Sequence, residues 1–160
     1  MRKQLYSLTI LAFSLITILP SCSKDDDTPS DGPKTELLIK SSWKFQKAEA
    51  GILGDVSSEI EDCIKDNLLI FVSASTGATS GTGTLDEGTT KCDNADPQTR
   101  PFDWEFRNNG AVLYSSQVLF DGGSKEFNVV ALNETNLVLS QQWTFEPGLP
   151  PVTVTITLKH

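Results

Sequence analysis

Side chains that could carry out catalysis are scarce in this sequence. The single histidine, His160, is the last residue, so a Ser-His-Asp arrangement would place its base at an exposed chain end. The carboxylate pairs Glu59 with Glu61 and Asp93 with Asp96 lie in loop-like segments, without the spacing that marks general acid–base catalysis. No glycine-rich phosphate loop precedes a helical segment. The sequence therefore favours a protein that is not an enzyme.

Metal-ligating residues form an equally weak pattern. A zinc site would need more ligands than the cysteines and the one histidine supply, and no Cys-x-x-Cys pair is present. Asp93, Asn94, Asp96 and Asp121 offer oxygen ligands suited to calcium, but the spacing of a calcium-binding loop is missing and turn formation accounts for them. We therefore predict no metal and no cofactor.

The charge of the chain argues against one large class of partner. Thirteen basic residues against 21 acidic ones give a formal net charge of -8 and a pI near 4.5. No segment carries a cluster of Lys and Arg that could overcome repulsion from a phosphate backbone. Nucleic-acid binding is therefore not expected.

The N-terminal residues have the three parts of an export signal. Arg2 and Lys3 are basic, residues 5–19 are mostly apolar, and Pro20-Ser21-Cys22 follows. The apolar run is shorter than the roughly 20 residues that a membrane-spanning helix needs. It therefore predicts a secretory signal rather than a permanent transmembrane segment.

Leu19-Pro20-Ser21-Cys22 resembles the lipobox of bacterial lipoproteins, with proline at a place where alanine or serine is more usual. The resemblance implies that Cys22 is acylated, becomes the first residue after cleavage and anchors the protein in the outer membrane. Two or three acyl chains make such an anchor effectively permanent, because each buried methylene contributes about 0.8 kcal/mol. The alternative is that Cys22 is an ordinary cysteine of a signal peptide cut nearby.

The residues behind this cysteine carry a second signal. Lys24 followed by Asp25, Asp26 and Asp27 resembles the surface-export signal of Bacteroidota lipoproteins. The resemblance implies display on the outer face of the cell. The alternative is a solvated acidic linker that keeps the domain away from the bilayer.

The chain accordingly divides into three parts. Residues 1–21 form the signal peptide. Residues 22–34 form a lipidated tether, because 28–34 have the Pro, Gly, Ser and Asp content of a flexible linker. Residues 35–160 suit one domain with one core.

Cys63 and Cys92 remain once Cys22 serves as the anchor. An even pair of cysteines in an oxidising compartment favours a disulfide, and the alternative is two free thiols. A bridge would close a loop of about 30 residues, for which chain entropy gives about 3.5 kcal/mol of stability.

Beyond the tether, the hydrophobic pattern has a period of two. Apolar residues alternate with threonines in 152–158, and aromatic rings alternate with charged residues in 102–107. Asn109-Gly110 marks a tight hairpin, because both residues tolerate positive φ angles. The pattern predicts eight strands, at 42–50, 68–73, 81–86, 102–107, 111–115, 125–132, 136–145 and 152–158.

Helical signals are confined to two short segments. Residues 35–39 could form one turn, and residues 58–61 have the form of a capping box ahead of Cys63. Neither is long enough for the crossover of a parallel βαβ unit, so neighbouring strands should pair antiparallel. Closure of such a sheet removes its unpaired edges. The expected fold is all-β, an eight-stranded antiparallel up-and-down barrel.

Several landmarks over residues 35–160 resemble the lipocalin-like domains of Bacteroidota lipoproteins. The resemblance implies a cup closed at one end by Trp43, with a bridge from Cys63 to Cys92 pinning two loops. Where true lipocalins carry Gly-x-Trp, this chain has Ser42-Trp43. The landmarks, in order, are Leu37-Leu38, Ser42-Trp43-Lys44, Asp62-Cys63, Lys65-Asp66-Asn67, Phe71, Lys91-Cys92-Asp93, Trp104-Glu105-Phe106, Asn109-Gly110 and Leu137-Val138-Leu139.

Aromatic residues supply the candidate binding site. We expect Trp43, Trp104, Phe106, Tyr114 and Phe127 to line any pocket, where they would bind a small apolar molecule or a glycan fragment. So many large rings favour a mostly filled interior, and the alternative function is then a scaffold protein that recognises partners through its loops. A void of a few hundred Å³, about the size of a ligand pocket, would distinguish the two.

Overall fold

The computed structural model describes residues 31–145, 148 and 150–160. Cys22, the export signal at 24–27, the signal peptide and the tether up to residue 30 lie outside the described residues. Within the described part, every helix is too short or too polar to cross a bilayer.

Eight strands form one closed antiparallel barrel in chain order. Each strand pairs with the next, and β8 pairs with β1 to complete the circle. This confirms the predicted fold class, and each predicted strand is present. The strands are β1 Trp43–Glu49, β2 Leu68–Ser73, β3 Ser80–Asp86, β4 Thr99–Arg107, β5 Val112–Ser115, β6 Glu126–Leu132, β7 Asn136–Trp143 and β8 Val152–Lys159.

The helices are short, and they differ in part from the prediction. The first, α1, runs over Asp31–Leu38 and so begins inside the segment predicted as tether. Residues Ser57–Glu59 and Gly51–Leu53 form 3-10 turns, and α2 covers Asp62–Lys65. The capping-box prediction for 58–61 was wrong, because the backbone becomes extended at Ile60 and the N-cap of α2 makes no side-chain hydrogen bond.

The predicted hairpin between β4 and β5 is confirmed. Asn108, Asn109 and Gly110 have φ angles of 52°, 54° and 70°. Positive φ is costly for most side chains, and Asn and Gly are the residues that adopt it most readily. The composition of this turn therefore fixes the register in which Arg107 faces Val112.

The up-and-down order gives the barrel two distinct ends. The proximal end holds α1 and the loops 74–79, 108–111 and 133–135, and the ammonium of Lys34 donates to the Gly110 carbonyl there at 3.0 Å. The distal end holds the loops 50–67, 87–98, 116–125 and 144–151. The chain enters at the proximal end, so these four loops lie at the end opposite α1.

Trp43 closes the proximal end. Its side chain is fully buried, and its indole Nε1 donates to the Leu38 carbonyl at 2.8 Å, which ties α1 to β1. The ring of His160 lies 3.9 Å from the Trp43 ring, centroid to centroid. The only histidine of the chain thus packs against a structural tryptophan while remaining exposed.

Cys63 and Cys92 form the predicted disulfide, with Cα atoms 5.1 Å apart. The bridge joins the 50–67 loop to the 87–98 loop, two of the four connections at the distal end. It therefore holds one side of that end together.

Candidate functional site

Four of the five predicted pocket residues face the barrel interior. Besides Trp43, these are Trp104 and Phe106 on β4 and Phe127 on β6, all almost fully buried. The structure brings Trp104 and Phe106 together edge to face, with ring centroids 5.7 Å apart. The Trp43 ring contacts the ring of His160, and the Phe127 ring contacts that of Phe120.

Tyr114 lies on the outer wall instead. Strand β5 turns Leu113 and Ser115 inward, so the period of two places Tyr114 on the opposite face. The guanidinium of Arg107 lies 3.8 Å from the centroid of the tyrosine ring. A hydrogen bond from Arg107 to Glu105 raises the pKa of this guanidinium, which therefore stays charged against the ring.

The outer wall carries two grooves. One, of about 440 Å³, is lined by both Trp104 and Tyr114, together with Ala74, Ser80, Gly81, Thr82, Asp103 and Glu105. The indole Nε1 of Trp104 donates there to the carbonyls of Val72 and Thr82 at 3.1 and 3.0 Å. The other, of about 450 Å³, lies between α1 and β2 and is lined by Thr35, Glu36, Ile39, Phe71, Val72, Ser73, Ser75, Thr76 and Gly77.

Buried side chains occupy most of the interior of the barrel among the described residues. A cavity beneath the mouth of the barrel, bordered by Phe45, Leu69, Leu85 and Leu158, has a volume of about 10 Å³, near the minimum that one water molecule requires. Inward side chains of all eight strands occupy the remaining space. These buried side chains agree with the mostly filled interior that the number of large rings favours.

The loop at 116–125, here called the mouth loop, closes the distal end. Its Leu119 and Phe120 are 6% and 5% exposed, which is unusual for a loop between two strands. The Phe120 ring lies 6.2 Å from that of Phe127 and 6.3 Å from that of Trp143, between centroids. The mouth loop thus places two large apolar side chains where the barrel would otherwise be open.

Three cavities meet at the mouth loop. Leu119 and Phe120 line the cavity of about 10 Å³. On one side lies a groove of about 270 Å³, lined by Leu85, Arg100, Pro101, Phe102, Gln117, Val118 and Leu119. On the other side lies a second groove of about 270 Å³, lined by Glu59, Ile60, Glu61, Ile64, Asp121, Gly122, Trp143, Thr144 and Phe145. Residues 117–122 are therefore the partition between these spaces.

Strand β7 holds the mouth loop in place. The side-chain Oε1 of Gln141 accepts a hydrogen bond from the Ser124 amide at 2.8 Å, and the Thr144 amide donates to the Gly122 carbonyl at 3.2 Å. A Cβ at Gly122 would lie 2.0 Å from the Trp143 indole nitrogen, so only glycine allows this close approach. The loop is therefore fitted closely to β7.

Sequence reasoning missed Gln141, Leu119 and Phe120. Gln141 had a detectable signal, because it follows Leu137 and Leu139 at a spacing of two and must share their inward face. No periodic signal indicates that Leu119 and Phe120 fold back over the barrel end, since they lie between two strands.

A second polar cluster holds the disulfide-linked loops. The Oδ2 of Asp66 accepts hydrogen bonds from the Thr89 amide and hydroxyl at 2.9 and 2.7 Å, and from the Thr90 amide at 2.9 Å. Burial raises the pKa of Asp66, but these hydrogen bonds outweigh burial and leave the pKa below its ordinary value. Asp66 is therefore a structural carboxylate.

The residues considered for metal binding take part in other interactions. Glu61, Cys63 and Cys92 lie close together, but the two sulfurs form the disulfide and supply no thiolate. The carboxylate of Asp93 accepts from the Ala95 amide at 2.8 Å, which is a turn interaction.

No family model and no curated protein matches the sequence. Among solved structures, the chain is similar to Japanin from Rhipicephalus appendiculatus, bound to cholesterol in an orthorhombic crystal form. The two share 10% sequence identity over 77% of this chain and 76% of that chain, with a TM-score of 0.49.

Proposed function

We propose that the protein is a lipid-anchored binding protein of the outer membrane, displayed on the cell surface, which captures a small apolar molecule at the distal end of its barrel. The lipobox-like residues 19–22 and the acidic export signal at 24–27 support the anchoring part. Asp31 follows Cys22 by nine residues, which reach at most about 30 Å when extended. Because α1 is at the proximal end, the distal end would face away from the membrane.

One observation carries the capture part of the proposal. Leu119 and Phe120 occupy the mouth of the barrel between two grooves of about 270 Å³ each. They belong to a loop rather than to the sheet, so they can leave without breaking a strand ladder. Displacement of these two side chains would join the grooves to the interior and create an apolar site.

The energetics set what kind of ligand can do this. Exposing Leu119 and Phe120 costs about 1.5–3 kcal/mol for each side chain. A ligand that refills the mouth with apolar surface recovers that cost, whereas a fully polar ligand does not. The apparent affinity is lowered by the small fraction of molecules whose mouth loop is open.

The test removes the ring of Phe120. In the lipidated full chain, held in lipid nanodiscs, Phe120→Ala leaves a cavity at the mouth that an apolar molecule can enter. The probe is 2-ethylnaphthalene, whose ring current shifts the methyl resonances of the buried residues Leu113 and Leu119. We expect these shifts to saturate at a lower free probe concentration than in the wild type.

Val130→Ala is the matched control, because Val130 is 58% exposed on the barrel wall and lines none of the three cavities at the mouth loop. It should leave the titration as in the wild type, with free probe measured against empty nanodiscs. Methyl resonances that do not respond to the probe in the wild type or in Phe120→Ala would rule out capture at the mouth.

A glycan fragment is the other ligand that the sequence suggested. The groove beside Phe145 combines an exposed ring with the carboxylates of Glu59, Glu61 and Asp121. The interior below it is apolar, so the geometry supports a glycan less well than an apolar molecule.

A specific observation also favours a second function, recognition of a partner protein through the distal loops. Ile52 and Leu53 are 103% and 62% exposed, at the end of the barrel away from α1. Exposed apolar residues of this kind often mark interaction sites. With a filled barrel, the protein would then act as a surface scaffold.

Site-specific photo-crosslinking in cells distinguishes the two functions. A crosslinker at position 52 should give one discrete adduct that Leu53→Asp abolishes, whereas a crosslinker at Val130, exposed on the barrel wall, should give none. Equal labelling from both positions would exclude a specific distal partner.

A further inference from the structure

Gln141 is a buried polar side chain on the inward face of β7. The other inward residues of this strand include Leu137, Leu139 and Trp143, and the glutamine is only 3% exposed. Its Oε1 accepts from the amide and hydroxyl of Ser124 at 2.8 and 3.3 Å. Its Nε2 has no hydrogen-bond partner among the described residues.

An amide donor left without a partner in an apolar interior is destabilising, and native proteins rarely retain one. This donor lies directly beneath the mouth loop, since a Cβ at Gly123 would be 2.2 Å from Nε2. If the loop moves away, the bond from Ser124 breaks and the whole amide faces the opened site. With the mouth loop closed, the Oε1 of Gln141 has hydrogen-bond donors but its Nε2 has no acceptor. A hydrogen-bond acceptor on a bound ligand could pair with this Nε2.

We propose that Gln141 is the polar anchor of the ligand site, and that the ligand is an apolar molecule bearing an uncharged hydrogen-bond acceptor, such as a ketone, ester or amide carbonyl. This inference rests on the proposed capture function. An apolar pocket with one placed polar group binds a ligand in one orientation and discriminates against analogues that lack the matching group.

The surroundings of the mouth disfavour a charged acceptor. Glu59, Glu61 and Asp121 line one groove, and they would repel a carboxylate. Arg100 is the cation among the residues that line the three cavities at the mouth loop, and its guanidinium lies 2.9 Å from the buried carboxylate of Glu87. An anion entering the apolar interior would also lose its hydration without gaining a counter-ion.

Three probes of similar size test this selectivity on the lipidated full chain in nanodiscs. They are 2-acetonaphthone, which carries a ketone carbonyl, 2-ethylnaphthalene, which has no polar group, and 2-naphthoate, which carries a carboxylate. Titrated through the Leu113 and Leu119 methyl resonances, the ketone should bind about tenfold to a hundredfold more tightly than the hydrocarbon, and the carboxylate most weakly.

Gln141→Met keeps the shape of the side chain and removes the amide. It should abolish the preference for the ketone. Because it also removes the bonds from Ser124 that hold the mouth loop closed, it should bind 2-ethylnaphthalene at least as tightly as the wild type, which also shows that the variant is folded. Gln142→Met is the matched control, because Gln142 is exposed on the outer face of the same strand and bonds Thr153 at 2.8 Å. It should keep the wild-type preference.

The carbonyl carbon of labelled 2-acetonaphthone gives an independent readout. Hydrogen bonding to Gln141 should move its ¹³C resonance downfield in the wild type and in Gln142→Met, but not in Gln141→Met. Equal binding of ketone and hydrocarbon in the wild type would overturn the role of Gln141 and leave capture intact. Failure of all three probes to bind, including to Phe120→Ala, would overturn both.

Discussion

Trp43 links the helix before the barrel to the barrel itself, and its contribution can be measured. Trp43→Phe retains most of the apolar contact but leaves the buried Leu38 carbonyl without its donor. We expect a loss of about 1–3 kcal/mol in the free energy of unfolding, measured by urea denaturation of the full chain. Lys44→Ala, at the exposed neighbouring position, should change stability by less than about 0.5 kcal/mol. Equal stability of the two variants would mean that this hydrogen bond contributes nothing.

Asp66 should make the distal loops sensitive to acid. Its folded-state pKa is depressed, so the stability it contributes is present above its ordinary pKa of about 4 and is lost as the pH falls through the lower folded value. Asp66→Asn should therefore lower stability at neutral pH and flatten the acid limb of the stability profile. Urea midpoints measured from pH 7 down to pH 2 test this. A parallel loss of stability in wild type and variant over that range would contradict it.

The proposed acylation of Cys22 predicts how the protein partitions between membrane and soluble fractions. Cys22→Ala removes the only sulfur to which the export machinery could attach acyl chains at the lipobox-like site, so the protein should move from the membrane fraction to the soluble fraction. Immunoblots of fractionated cells measure this, with Ser23→Ala as the control that should stay in the membrane. Membrane residence of the alanine variant would exclude acylation as the anchor.

At the scale of elements, the barrel closes unevenly. Strand β1 pairs with β2 at two positions only, Trp43 with Leu69 and Lys44 with Leu68, whereas β7 and β8 pair at eight. In the part of the chain that the structure describes, the edge of β2 that faces away from β3 is thus without a ladder partner over residues 70–73. This seam is the least hydrogen-bonded junction of the sheet.

Hydrogen exchange should reveal the seam. Amides of 39–44 and 70–73 should take up deuterium sooner than those of 136–143 and 152–159, because local opening is easiest where few backbone hydrogen bonds must break. Mass spectrometry of peptides from a timed exchange gives the comparison. Uniform protection around the barrel would show that the short pairing is compensated by other contacts.

The elements could be predicted from the sequence largely because strand signals are local. The period of two gives each strand and its inward face, and Asn-Gly gives the β4–β5 turn. Tyr114 was predicted to line the pocket because it is aromatic, but its position in β5 faces outward. The mouth loop was not predictable, because Leu119 and Phe120 are placed over the barrel end by tertiary contacts that leave no local sequence pattern. The sequence therefore predicted a set of aromatic residues for the candidate site, but not the position of that site in the fold.

At the scale of the whole molecule, the proposed surface export makes a testable demand on the acidic residues behind Cys22. Changing residues 24–27 to alanine should leave the protein lipidated but protect it from protease added to intact cells. Immunoblots before and after lysis measure the protected fraction, and the wild type should be cleaved in both. Undiminished cleavage in intact cells carrying the alanine variant would remove the claim of surface export.

The position of the seam has a mechanical consequence for a protein tied to a surface. Any tension on an N-terminal anchor passes through α1 into β1, the strand with the shortest ladder on one of its sides. A pulling force would therefore separate β1 from β2 and expose the buried Trp43 ring before the pairing of β7 with β8 breaks. On a cell surface exposed to fluid flow, unfolding of the barrel would then begin at the junction between β1 and β2.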